Sequence, residues 1–81
     1  MENKIITPEQ CRAARAFLNW SQDDLSSKSG VAKATIADFE RGKRTPYGRT
    51  LRDLQKVFEE EGIEFQSDER GFGVKLLFQN T

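Results

Sequence analysis

The 81-residue chain contains no histidine and a single cysteine, Cys11. The first absence excludes imidazole base catalysis and histidine-ligated metal. The second excludes an internal disulfide framework and any zinc site built from cysteines. No apolar run approaches the ~18 residues that a membrane-spanning helix needs. The opening segment "MENKIITPEQ" has neither the basic start nor the apolar core of a secretory leader. No glycine-rich phosphate loop or metal-ligand cluster is present, and no serine or cysteine has a histidine to activate it. These gaps point to a cytoplasmic protein that is not an enzyme, needs no cofactor and has no membrane partner. A chain of this length forms one domain with a modest core, stable only if its packing is economical or a partner helps.

Net charge is also missing: 13 Lys and Arg balance 13 Asp and Glu. The total argues against a nucleic-acid partner, but the distribution does not. Residues 1–52 carry 10 basic and 6 acidic side chains, whereas residues 53–81 carry 3 basic and 7 acidic. An N-terminal part that meets phosphate, followed by a part that does not, produces this asymmetry. Chance scatter in a small chain produces it too, and charge alone does not separate the two.

What is present is a series of helix starts and stops. In "ITPEQCRAARAFLNW", Thr7 suits the N-cap, Pro8 the first helical position, and Gln10 completes a capping box. Cys11, Ala14 and Leu18 form one apolar face, and Asn19 is a stop. "SQDDLSSKSG" repeats the signal with Ser21 and Asp24, puts acids in the first turn, and ends at Gly30. A short third helix, about residues 32–41, carries Ile36 and Phe39 on one side and ends at Gly42. After the loop "GKRTPYG" comes a fourth helix, "RTLRDLQKVFEEEG", with Thr50 as its expected cap and Leu51, Leu54 and Phe58 as its stripe. Beyond Gly62 the period changes. "IEFQ" alternates, "SDERG" has turn chemistry and "FGVKLLF" is β-prone, which together predict a hairpin. A lone hairpin is marginal in water, so it should pack on the helices or pair with another chain. The expected organisation is a helical domain over residues 1–62 and a hairpin extension over residues 63–81 that serves dimerisation or packing.

The second and third helices, separated by a glycine-containing turn, have the spacing of a helix-turn-helix. Leu25, Val31, Ile36 and Phe39 can share a small core, which leaves Lys33, Ala34, Ala37 and Asp38 on the other face of the third helix. At these residues the sequence resembles the lambda-repressor-like, or XRE-type, helix-turn-helix family. The resemblance is carried by Ser21-Gln22, Leu25, Gly30-Val31, Thr35-Ile36 and Glu40-Arg41-Gly42, and extends over about residues 7–62. It implies a mainly α, lambda-repressor-like bundle, here followed by a C-terminal β-hairpin, that binds double-stranded DNA as a homodimer on a palindromic site. It further implies that Gln22 contacts phosphate or a neighbouring side chain and that Lys33, Ala34, Ala37 and Asp38 face base edges. Thr35 would meet a phosphate, Lys43 and Arg44 the DNA backbone, and Arg15 and Glu40 an internal ion pair. The sequence departs from the family at Ala32, where Ser or Thr often caps the third helix, and at Ser26 and Ser29, where less polar residues are preferred.

The residues independently suit these roles. Lys33 can donate to guanine O6 and N7, Asp38 can accept from cytosine N4, and Ala34 or Ala37 can meet a thymine methyl. Arg12 and Arg49 can add charge contacts. Each also has a plainer reading: Lys33 and Asp38 as a solvated face, Lys43 and Arg44 as loop charge, Phe17 and Trp20 as packing groups. Cys11 reads as a small buried hydrophobe. Two further functions remain open at this level. One is a protein-binding module, such as an antitoxin or antiactivator using the same fold on a protein partner. The other is a DNA-binding subunit of a larger complex.

Overall fold

The computed structural model describes residues 6–78. Residues 1–5, which open the segment without a leader signal, and residues 79–81, the end of the expected extension, lie outside it. The fold is mainly α, as the sequence predicts: α1 (Pro8–Leu18), α2 (Gln22–Ser29), α3 (Lys33–Glu40) and α4 (Gly48–Glu60), then an antiparallel hairpin of β1 (Ile63–Asp68) and β2 (Gly71–Leu76). No helix among the described residues is long and apolar enough to cross a membrane.

Both expected capping boxes form. The Thr7 hydroxyl accepts from the Gln10 amide at 3.0 Å, and the Gln10 side-chain oxygen accepts from the Thr7 amide at 3.0 Å. Ser21 and Asp24 exchange the same pair of bonds at 2.9 Å. Each box satisfies amide donors that a helix start otherwise leaves unpaired. Asn19 and Gly30 then stop α1 and α2 in the left-handed conformation, at φ 61° and 77°. Thr7→Ala is expected to cost about 1 kcal/mol and to lower the melting temperature by about 4–8 °C. Thermal unfolding followed by circular dichroism measures it.

The core gathers one apolar stripe from each helix. Leu25, Ile36, Leu54, Phe58 and Cys11 are fully buried, with Ala14, Val31, Phe39, Leu51 and Ile63 around them. Phe58 is the largest of the fully buried side chains. Trp20 stacks on it at 5.7 Å between ring centroids, and Phe65 meets it edge-on at 5.9 Å. Burying a side chain of this size stabilises the fold by about 1.5–3 kcal/mol.

Two boundaries differ from expectation. The fourth helix begins at Gly48, with Tyr47 at its N-cap and no side-chain cap, so Thr50 lies inside the first turn and does not cap it. Leu51 explains the earlier start: its side chain is buried, and its amide finds an acceptor in the Tyr47 carbonyl at 3.1 Å. The hairpin loop is also shorter than "SDERG". Ser67 and Asp68 belong to β1, Gly71 opens β2, and only Glu69 and Arg70 make the turn. The Asp68 carboxylate fixes it by accepting from the amides of Arg70 (2.8 Å) and Gly71 (3.2 Å), a side-chain mimic of a backbone turn.

Gln10 ties the hairpin to the helices. Its side-chain nitrogen donates to the carbonyls of Gln66 (3.0 Å) and Gly73 (2.9 Å), while its oxygen closes the capping box. Buried at 4% exposure, this amide is satisfied at both ends.

Candidate nucleic-acid interface

The turn into α3 is held by residues whose polarity looked out of place in the sequence. The Ser26 hydroxyl donates to the Val31 carbonyl at 2.7 Å, and the Val31 amide donates to the Ser29 hydroxyl at 3.1 Å. The serines therefore brace the three residues between the helices. Ala32 sits at the N-cap of α3 without a side-chain bond, as its side chain requires.

Helical periodicity divides α3 into two sides. Ile36, Phe39 and Glu40 point inward and are buried. Lys33 and Ala34 are exposed, and Thr35, Ala37 and Asp38 are half-buried. The two charged members of the outer side have partners within the chain. Lys33 lies 3.3 Å from the Asp23 carboxylate of α2, and Asp38 accepts from Arg41 at 2.9 Å. Exposed pairs of this kind are worth only about 0–1 kcal/mol, so a stronger partner can replace them.

Thr35 and Arg44 come together with Thr45, Pro46, Tyr47 and Thr50 along an open groove of about 420 Å³ between α3 and the start of α4. Lys43 and Arg44 are exposed in the loop that leads there. That loop is anchored where the Lys43 amide donates to the Asp38 carbonyl at 2.8 Å. Thr45, Tyr47 and Thr50 were not among the site residues expected from sequence. The signal for them is the hydroxyl-rich stretch "TPYGRT" directly after the basic pair. Tyr47 is 87% exposed beside the groove.

Gln22 and Arg12 occupy different positions from the other expected contacts. Gln22 donates to the Glu40 carboxylate at 3.0 Å, and Arg12 donates to the Glu40 backbone carbonyl. Both are drawn toward a polar centre on the inner side of α3. There Arg15 grips Glu40 with two parallel bonds, at 2.8 and 2.7 Å, and also donates to the Trp20 carbonyl at 3.0 Å. The Cys11 thiol donates to the same carboxylate at 3.0 Å. The implied Arg15–Glu40 pair is thus present, and one buried carboxylate joins α1, α2 and α3.

Burial alone would raise the Glu40 pKa, but the bonds from Arg15, Gln22 and Cys11 outweigh it and hold the carboxyl below its usual range. The bond to Glu40 pushes the Arg15 pKa up. Burial, reinforced by the neighbouring carboxylate, pushes the Cys11 thiol well above its usual value, so it stays protonated and unreactive. Cys11 is more than a small hydrophobe, because its hydrogen bond satisfies a buried charge. Among the described residues there is no group of three or more His, Cys, Asp or Glu placed to hold a metal ion.

The helix-turn-helix family model matches residues 12–65, from within α1 through the turn, α3 and α4 into β1. Comparison with curated proteins finds no match. A match over well over half of the chain, on elements that fold as the family requires, settles the relationship: the protein belongs to the XRE-type, lambda-repressor-like helix-turn-helix family of DNA-binding transcription regulators.

Proposed function

We propose that the protein is a sequence-specific, cytoplasmic transcription regulator that binds a palindromic operator as a homodimer, with α3 of each copy in the major groove. Residues 1–62 would read the DNA and residues 63–81 would join the copies; no enzymatic step is involved. The observation that carries this reading is the outer side of α3: Lys33, Ala34, Ala37 and Asp38 turn away from the core beside the Thr35–Arg44 groove.

In this arrangement Lys33 leaves Asp23 for guanine, and Asp38 leaves Arg41 for the amino group of cytosine. Ala34 and Ala37 pack on thymine methyls. Thr35 and Arg44 take a phosphate in the groove, where the first amides of α4 favour negative charge, and Lys43 takes its neighbour. Gln22 acts one step back, by holding Glu40 beneath α3. The chain extends 33 × 31 × 19 Å. Adjoining copies of that size span the ~34 Å between successive major-groove faces on one side of the duplex.

Selection from random duplexes tests the proposal. A palindromic winner, bound about a thousandfold more tightly than random sequence, is the expected result. With ~4 phosphates neutralised per subunit, affinity for that site should fall about ten-thousandfold between ~50 and ~200 mM salt. Binding that follows salt but prefers no sequence would count against a specific regulator. It would favour the second reading, a protein-binding module such as an antitoxin or antiactivator. That reading draws on the neutralised charges of α3 and on the exposed apolar side chains Phe72, Leu77 and Phe78 at the other end of the chain.

A further inference from the structure

In the hairpin, β1 pairs with one side of β2, and no strand among the described residues pairs with the other. The Leu77 amide donates to the Gly62 carbonyl at 2.8 Å, which makes Gly62 and Leu77 a hydrogen-bonded pair. Bonded and non-bonded pairs alternate along an antiparallel ladder. Ile63 opposite Leu76, Phe65 opposite Val74 and Ser67 opposite Phe72 are therefore the non-bonded pairs. It follows that Phe72, Val74 and Leu76 turn their backbone N–H and C=O groups outward, to the free edge. Little on this edge discourages pairing. From Gly71 to Phe78 the only charge is Lys75, with no proline, and the register runs without a bulge. Exposed apolar groups adjoin it: Phe72 is 51% exposed, Phe78 is 99% exposed, and Phe17 on the neighbouring α1 is 51% exposed.

We infer that this edge docks a second copy of the same chain, β2 against β2, antiparallel about a two-fold axis through Val74. The inference rests on the homodimeric reading above and adds the surface and the register. Outward groups must meet outward groups, so the axis passes through a residue and not between two. An axis at Lys75 would place like charges directly opposite, which destabilises a pair. An axis at Gly73 would set Leu76 and Phe78 against turn-side residues, and one at Leu76 would set Phe72 against position 80, a polar asparagine beyond the described residues. An axis at Val74 sets Phe72 against Leu76, Val74 against Val74, and Lys75 against Gly73. Phe72 and Leu76 share the core-facing side of the strand with Val74, so apolar meets apolar on that side throughout. Phe78 comes opposite Arg70 of the second copy, a cation for its ring. The two hairpins become one four-stranded sheet, where a single hairpin is marginal. The outer edge of β1 offers no such match, because Glu64, Asp68 and Glu69 would gather like charge there.

Sedimentation equilibrium of the full chain without DNA tests this, comparing wild type with Val74→Pro and Ser67→Pro. The Val74 amide takes no part in the β1–β2 ladder, so proline there removes a donor from the outer edge alone. Ser67 is the equivalent position on the outer edge of β1. Wild type and Ser67→Pro should dimerise at micromolar concentration, and Val74→Pro should dimerise about a hundredfold more weakly. Should Val74→Pro lose its helical circular dichroism, Val74→Cys decides. Paired residues at the axis lie about 5.5 Å apart between Cα atoms, within disulfide range, so mild oxidation should link Val74→Cys but not Lys75→Cys. A monomeric wild type, a folded Val74→Pro that dimerises normally, or an absent Val74→Cys cross-link overturns the inference. Every readout is free of DNA. A monomer that still selects an operator would sink the β2 edge alone, and a dimer that selects none would sink the operator reading alone.

Discussion

Glu40→Ala should destabilise the fold by about 3–5 kcal/mol, the usual consequence of removing one partner from a buried ion pair. The side chain is 2% exposed and its partner Arg15 is 19% exposed. Alanine would strand the Arg15 guanidinium, the Gln22 amide and the Cys11 thiol together. In a domain whose total stability is about 5–15 kcal/mol, that is a large share, and the variant should be partly unfolded at 37 °C. Trp20, the one tryptophan and stacked on Phe58, reports the transition by fluorescence. The pH dependence has a definite sign. The Glu40 carboxyl is held below its usual range in the folded chain. Its contribution is therefore full above the unfolded value of about 4.3 and is lost as pH falls through the folded one. Wild type should lose stability in acid, and the gap to Glu40→Ala should close there. At the other end Cys11 is raised when folded. Its share is present below about pH 8.5 and declines above it, as the unfolded thiol begins to ionise. A gap that stays constant into acid would show that the Glu40 carboxyl has the same pKa folded and unfolded, and a gap that widens there would show that burial keeps it protonated.

The second large effect concerns DNA. Lys33→Ala with Arg44→Ala should weaken binding to the selected operator about 100- to 1,000-fold, since each lost contact is worth about 1–3 kcal/mol. Stability should change by less than about 0.5 kcal/mol, because both side chains are exposed and neither supports the core. The single variants separate the roles. Lys33→Ala should relax preference at one base position, while Arg44→Ala should weaken all sequences alike and reduce the salt slope by about one per site. Retention of full affinity by the double variant would remove α3 from the groove.

The caps and stops were legible in the sequence because they are local. Thr7 with Gln10, Ser21 with Asp24, and the glycines at 30, 42 and 62 act over three or four residues. Ile36 and Phe39 likewise fixed the inner side of α3. What stayed illegible depended on partners distant in the chain. Gln10 reads as a capping residue, yet its other end reaches Gln66 and Gly73. Cys11 reads as a hydrophobe until Glu40, 29 residues away, accepts a hydrogen bond from its thiol. Gln22 faces Glu40 for the same reason. The pairings of Lys33 with Asp23 and Asp38 with Arg41 join charges that periodicity assigns only to a face. The start of α4 was misplaced because Thr50 is a good cap by type, whereas burial of Leu51 set the true beginning.

Those two pairings bear on the search for a site. A regulator meets a vast excess of wrong sequence, and uncompensated charge governs how long it lingers there. In the proposed role, random duplex meets a chain with no net charge whose α3 charges already have partners. Encounters then rest chiefly on the Lys43–Arg44 loop and end quickly. Only a sequence that offers Lys33 an acceptor and Asp38 a donor lets each exchange one partner for another without loss. Discrimination is in that case gained through short dwell times on wrong sites more than through exceptional strength on the right one. Such a protein samples many positions per unit time and stalls at few.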